Sequence, residues 1–92
     1  MEIFAQYDFL SIEPILEPID LSVLKHNLYT KAVIIGAETG KRKDKVVPKR
    51  EWIEGIVTEC DSAGVAVFMK ESLRTIMGND FRQDKLPWEV AR

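Results

Sequence analysis

Two short runs, Val33-Ile34-Ile35 and Val65-Ala66-Val67-Phe68-Met69, are apolar at every position, and one amphipathic stretch lies between them. A strand with one wet face alternates polar and apolar residues. A strand with no polar position needs cover on both faces, as parallel strands joined by a helix have. The intervening stretch reads as a helix from 48 to 63. Pro48 suits its first turn, and Trp52, Ile53, Ile56, Val57, Cys60 and Ala63 fall on one stripe. Gly64 is the natural stop, because glycine accepts the left-handed conformation. With strands over 31–36 and 65–70, this is a βαβ unit. Its right-handed crossover implies parallel pairing.

The flanking chain extends the pattern. Residues 8–13 read as a third strand, followed by a turn between Pro14 and Pro18. Asp20 is placed to cap a short helix over Leu21–Leu28, with Leu21, Leu24 and Leu28 on one face. Gly36–Gly40 is a loop that runs into the charged linker Lys41–Arg50. Ser72 is placed to cap a short helix, Leu73–Met77, which Gly78-Asn79 ends. The tail from Asp80 is polar, with Leu86-Pro87-Trp88 as its docking point. The expectation is a single α/β domain over 1–92, a partial β/α (TIM-like) barrel of about three parallel strands with intervening helices. Three such strands leave long free edges, so a homo-oligomer or the missing barrel half is expected as partner.

Several function classes drop out early. The net charge of −2 gives no global attraction to nucleic acid or membrane. No apolar run approaches the ~18 residues of a membrane span, and no basic region precedes an apolar one at the N-terminus, so a cytoplasmic protein is expected. Cys60 and His26 are the only residues of their kinds. One thiol makes no internal disulfide, structural zinc site or iron–sulfur cluster. Cys60 lies on the apolar stripe, where it reads as a small buried residue, and His26 reads as a surface residue.

In β/α architectures chemistry collects at the C-terminal strand ends. Here the first strand ends at Glu13, the second runs into Glu38, and the third ends at Lys70. On one rim, a lysine among carboxylates could bind a polar ligand or move a proton, which makes Glu13, Glu38 and Lys70 the candidate catalytic set. Gly36-Ala37-Glu38-Thr39-Gly40-Lys41 departs from a phosphate loop. The glycine spacing is one residue short, and Arg42 stands where Ser or Thr would hold magnesium. A glycine-bounded turn can still present backbone N–H groups to a ligand, so Gly36, Thr39, Gly40, Lys41 and Arg42 are candidate ligand-binding residues, with no metal site. The linker sets Lys41, Arg42, Lys43, Lys45, Lys49 and Arg50 against Asp44 alone, a local charge of +5. A binding module for nucleic acid or a phosphate ligand built on residues 41–50 is the alternative to an acid–base enzyme.

Several segments together carry a resemblance. They are Phe9-Leu10-Ser11-Ile12-Glu13-Pro14, then Val33-Ile34-Ile35-Gly36-Ala37-Glu38-Thr39-Gly40, and Trp52-Ile53 with Cys60 and Ala63-Gly64-Val65. Val67-Phe68-Met69-Lys70 and the tail Phe81-Arg82-Gln83 with Leu86-Pro87 complete the set. In order and spacing the chain resembles the C-terminal part of a phage-associated bacterial family of uncharacterised proteins, similar to DNA-repair photolyases of the radical-SAM type. The resemblance implies a full-length β/α barrel with an iron–sulfur cluster and S-adenosylmethionine, its cysteine cluster lying in an N-terminal region that this chain lacks. It further implies that Glu13, Glu38 and Lys70 face the barrel mouth. By that reading the chain holds no cofactor itself and is inactive alone. The family pattern more often has a second glycine where Ala37 stands.

Overall fold

The computed structural model describes residues 2–5, 9–26, 30–40 and 43–86, with the side chains of 2–5 and 26 left aside. Four strands form one sheet in the order β1 (Glu2–Ala5), β2 (Phe9–Glu13), β3 (Ala32–Ile35) and β4 (Ala66–Met69). The strands β2, β3 and β4 are parallel neighbours, and β1 pairs antiparallel to β2 on its outer side. The class is α/β with a three-strand parallel sheet, as expected, and the sheet does not close into a barrel.

The connections explain the direction in which the sheet grows. The β2–β3 link carries a 3-10 turn, Ser22–His26, and the β3–β4 link carries α1 (Arg50–Ala63). The residues Leu21 and Leu24 by the turn join Ile53, Ile56 and Cys60 of α1 in one buried cluster, so both connections lie over the same face. From the sheet, Ile12, Val33, Ile35, Val67 and Met69 enter that cluster, with Leu10 packed against it. In register, Leu10, Val33 and Val67 form one row, and Ile12, Ile35 and Met69 form the next. Alternation sends Phe9, Ser11, Ala32, Ile34, Ala66 and Phe68 to the opposite face, outside the cluster. Both faces of β3 and β4 are therefore apolar as the sequence says, but the main core occupies only one of them.

Several local expectations change. Helix α1 starts at Arg50 after an extended Lys49, so Pro48 precedes the helix instead of opening its first turn. Its end is as expected. Gly64 takes φ 69°, and the N–H groups of Gly64 and Val65 donate to Asp61 and Cys60 carbonyls at 3.3 and 2.8 Å. The segment after Asp20 is a 3-10 turn, not an α-helix. Asp20 accepts the Ser22 N–H at 2.9 Å as a cap would, and Leu28 lies outside the described residues. Ser72 caps nothing with its side chain. It falls within a 3-10 turn, Glu71–Leu73, ahead of α2 (Arg74–Met77), and Gly78 ends α2 at φ 54°.

The largest difference concerns the edges. The outer flank of β2 is occupied by β1, which the sequence reading missed. The outer flank of β4 is occupied by residues 82–84, expected to be part of a polar tail. An antiparallel bridge joins Phe68 and Gln83, Met69 N–H donates to the Arg82 carbonyl, and Asp84 N–H donates to the Val67 carbonyl, both at 2.9 Å. Neither outer parallel strand therefore has the free edge on which self-association was argued. Leu86 is buried, whereas Pro87 and Trp88 lie outside the described residues. No described helix is long and apolar enough to cross a membrane.

Candidate functional site

The register that aligns Ile12, Ile35 and Met69 makes Glu13, Gly36 and Lys70 the next row, one step beyond the strands. Alternation turns this row to the face away from α1. Backbone bonds extend the parallel pattern to it. Gly36 N–H donates to Ile12 carbonyl at 3.2 Å, and Lys70 N–H donates to Ile35 carbonyl at 2.9 Å. The Glu13–Pro14 peptide is cis, and Ile15 N–H donates to Gly36 carbonyl at 2.9 Å. Gly36 is buried between its charged neighbours.

A glycine in the middle of this row lets the lysine lie down across it. A Cβ built on Gly36 would sit 3.5 Å from the Cβ of Glu13 and 3.5 Å from both Cβ and Cδ of Lys70, so the Lys70 stem runs over the glycine. Its Nζ reaches Glu13 Oε2 at 2.9 Å. The same oxygen accepts from Ser11 Oγ at 3.4 Å, a long bond. The lysine side chain is 48% exposed and the glutamate 38%. Water reaches both groups, and such a pair adds only about 0–1 kcal/mol to stability.

Glu38 stands on the loop after β3 and lines an open groove of about 370 Å³ together with Glu13, Pro14, Ala37 and Thr39. Its Oε2 accepts the Val46 N–H at 3.0 Å, which ties the groove wall to the middle of the linker. Ala37 N–H donates to Ser72 Oγ at 2.9 Å, joining the loops that follow β3 and β4. This is why Ser72 is not a helix cap: its oxygen holds a loop distant in sequence. A serine two residues past Lys70 was the only hint of this role, and it fits a cap equally well. Thr39 and Gly40 are exposed, with φ 95° at Gly40, whose carbonyl accepts Lys45 Nζ at 3.1 Å. Lys41 and Arg42 lie outside the described residues. The structure thus brings Glu13, Gly36 and Lys70 into one row, with Glu38 and Thr39 on the adjoining groove.

The basic linker is less available than its charge suggests. Arg50 is a structural residue. One of its nitrogens donates to the Ile76 and Met77 carbonyls at the end of α2, both at 3.1 Å, and the guanidinium also pairs with Glu54 and Asp80. Lys49 lies over the Trp52 ring, 5.9 Å from its centroid. With Lys45 bonded to Gly40, three of the six expected cations have partners within the chain, which weighs against a phosphate-binding face made of the whole linker.

A larger cleft of about 490 Å³ opens beside α1, lined by Val57, Met69 and Met77 with Glu54, Asp80 and Arg82. It contains none of the strand-end residues singled out by the sequence. Its charged groups pair between α1, α2 and the segment after them, whereas the strand-end row lies where parallel β/α strands gather functional groups, so the row is the better candidate. Cys60 is buried in the core, where burial, then the negative charge of Asp61, pushes its thiol up to about 12. Buried and held protonated, it packs as a small apolar core residue. Among the described residues no group of three or more His, Cys, Asp or Glu could hold a metal ion.

Comparison with known proteins places these features in a family. A family model described as "Protein of unknown function (DUF5131)" matches residues 1–83. The chain belongs to that family. No curated protein and no solved structure matches it.

Proposed function

We propose that this member of the family supplies the rim of a ligand site in a β/α barrel of the radical-SAM type. In this reading Lys70 and Glu13 are paired across Gly36 to engage a polar small molecule. The observation that carries the reading is the Glu13–Gly36–Lys70 row at the C-terminal ends of three parallel strands, on the face turned away from the helix. Two further features support it. The parallel strands step one way across the sheet with their connections over one face, as in a barrel. Among β2, β3 and β4 the opposite face is apolar in its middle rows except for Ser11, and charged only at the rim, in keeping with a barrel lumen.

The chemistry of the row is that of an anchor. A half-exposed ion pair opens at little cost. Its ammonium then takes an anionic group, and its carboxylate takes an ammonium or hydroxyl group. The amino-acid end of S-adenosylmethionine carries one group of each kind, and Glu38 adds a second carboxylate on the groove. The iron–sulfur cluster does not fit this chain. Its one cysteine is buried in the core on α1, and cluster binding takes several exposed thiolates.

The test is an NMR titration of the isotope-labelled chain with S-adenosylmethionine, run on the wild type, Lys70→Ala and Glu13→Gln. Saturable shifts at Gly36, Ala37, Thr39 and Lys70, weakened at least tenfold in both variants, are expected. Shifts elsewhere, or shifts of equal strength in the variants, refute the reading.

A further inference from the structure

Ser72 has a part in the rim that its place in a short turn conceals. Along the β3–β4 pairing every second residue carries the bonds. Ala66 N–H donates to Lys31 carbonyl and Lys70 N–H to Ile35 carbonyl, at 3.0 and 2.9 Å. Parallel bonds are evenly spaced, so the next donor on the β3 side is Ala37 N–H, and in a longer strand its acceptor is the Lys70 carbonyl. The chain leaves the sheet there instead. Lys70 carbonyl accepts Leu73 N–H at 2.9 Å, closing the 3-10 turn Glu71–Leu73. Ala37 N–H goes to Ser72 Oγ, also at 2.9 Å, so a side-chain oxygen replaces the carbonyl that the turn has taken. The outer edge of β4 uses the same device, since Asp84 Oδ2 accepts Val67 N–H at 2.9 Å.

On the β2 side the same loop is held by main chain alone, where Gly36 carbonyl accepts Ile15 N–H. The segment that follows Gly36 is thus gripped on one side by backbone and on the other by one hydroxyl. Glu38 comes one residue after Ala37, and its Oε2 accepts Val46 N–H at 3.0 Å. Ser72, Ala37, Glu38 and Val46 therefore stand in series, from the end of β4 to the middle of the linker.

We propose that Ser72 is a positioning residue of the rim: its hydroxyl fixes where Glu38 stands on the groove and, through Glu38, holds the linker at Val46. Both bonds in the series are partly buried. An amide left there without its acceptor is costly, so the loop shifts when the hydroxyl is removed. The groove carries two carboxylates held in different ways. Glu13 belongs to the strand-end row, and Glu38 belongs to the loop that Ser72 grips, so Ser72 sets the spacing between them. Its part in binding rests on the ligand rim proposed above.

The experiment is amide hydrogen exchange on the full chain, with Val67 as the reference amide. Ser72→Ala is expected to speed exchange at Ala37 by about two- to tenfold, the factor for one lost hydrogen bond, and at Val46 by at least about twofold, leaving Val67 unchanged. Ser72→Thr keeps the hydroxyl and should restore both. Glu38→Ala should release Val46 and leave Ala37 protected. Release of Ala37 without Val46 in Ser72→Ala overturns the proposal, since the bond is then local. Release of Ala37 in Glu38→Ala also overturns it, because Glu38 is then the anchor. If Ser72→Ala does not fold, Ser72→Cys should give the same pattern to a smaller extent, a thiol being a weak acceptor. A thiol variant that leaves both amides protected is equally fatal. Titration with S-adenosylmethionine separates this inference from the rim's ligand. Where the wild type binds, Ser72→Ala should bind about two- to tenfold more weakly, and equal affinity overturns the positioning role. Where the wild type does not bind, the ligand reading falls, and the exchange pattern alone decides whether Ser72 places Glu38.

Discussion

Gly36 offers a sharp test of the site's geometry, because two substitutions there should have opposite signs. Its φ is not positive, so no left-handed backbone demands glycine at this position. An alanine Cβ would meet three carbons at 3.5 Å, ordinary van der Waals contact, without displacing them. Gly36→Ala should therefore stabilise the protein by about 0.4–1 kcal/mol, mainly by restricting the unfolded chain. Valine adds two further carbons above the same Cβ, where the Lys70 stem already lies. Gly36→Val should force that stem aside, break the pair with Glu13 and cost about 1–3 kcal/mol as an overpacked site. The lost pair itself contributes less than about 1 kcal/mol of this. Urea unfolding followed by circular dichroism measures both changes. A loss of stability in Gly36→Ala, or no loss in Gly36→Val, would show that Lys70 does not lie across the glycine, and the ligand rim built on that row would fall with it.

Other consequences are open to equally direct measurement. Ile56→Ala, at a fully buried position under the sheet, should cost about 2–5 kcal/mol in the same unfolding assay. Arg50→Ala should cost about 1–2 kcal/mol, and Arg50→Lys should recover little of it. A single ammonium cannot serve two carbonyls and two carboxylates at once. Hydrogen bonds from Arg82 hold the carboxyls of Asp61 and Asp84 below the ordinary aspartate value of 3.8. A lowered folded value means that their contribution is complete above 3.8 and drains away as pH falls below it. The urea midpoint should drop with acid in that range, and Arg82→Ala should flatten the drop. Cys60 should react with a thiol reagent only at the rate of unfolding, and rapid labelling of the native protein would contradict its burial in the core.

How much was legible in the sequence differs by element. The runs at 31–36 and 65–70 and the stripe on α1 declared the βαβ unit, because burial on both strand faces and on one helix stripe is written in composition at fixed periods. Residues Ile53, Ile56 and Cys60 of the predicted stripe are indeed its buried members. The strand-end residues followed from the same unit, since parallel strands of known direction bring Glu13 and Lys70 to one end. The first strand was not legible. Glu2–Ala5 is only four residues long, too short to carry a periodic signal of its own. Asp84 and Ser72 misled for a related reason. A polar side chain that bonds a distant backbone group looks, in sequence, like a residue facing water or capping its own helix.

The sequence by itself determined local choices: the three parallel strands, where α1 stops at Gly64, and that Cys60 is a core residue. Apolar periodicity and glycine conformation act over a few residues and need no knowledge of the rest. Only the tertiary structure decided the register that sets Gly36 between Glu13 and Lys70. It alone joined Ala37 to Ser72, and it alone folded 82–84 back onto β4. Each of these is a pairing between segments far apart along the chain. The geometry that selects it arises only when the sheet has formed and its unpaired backbone groups need partners.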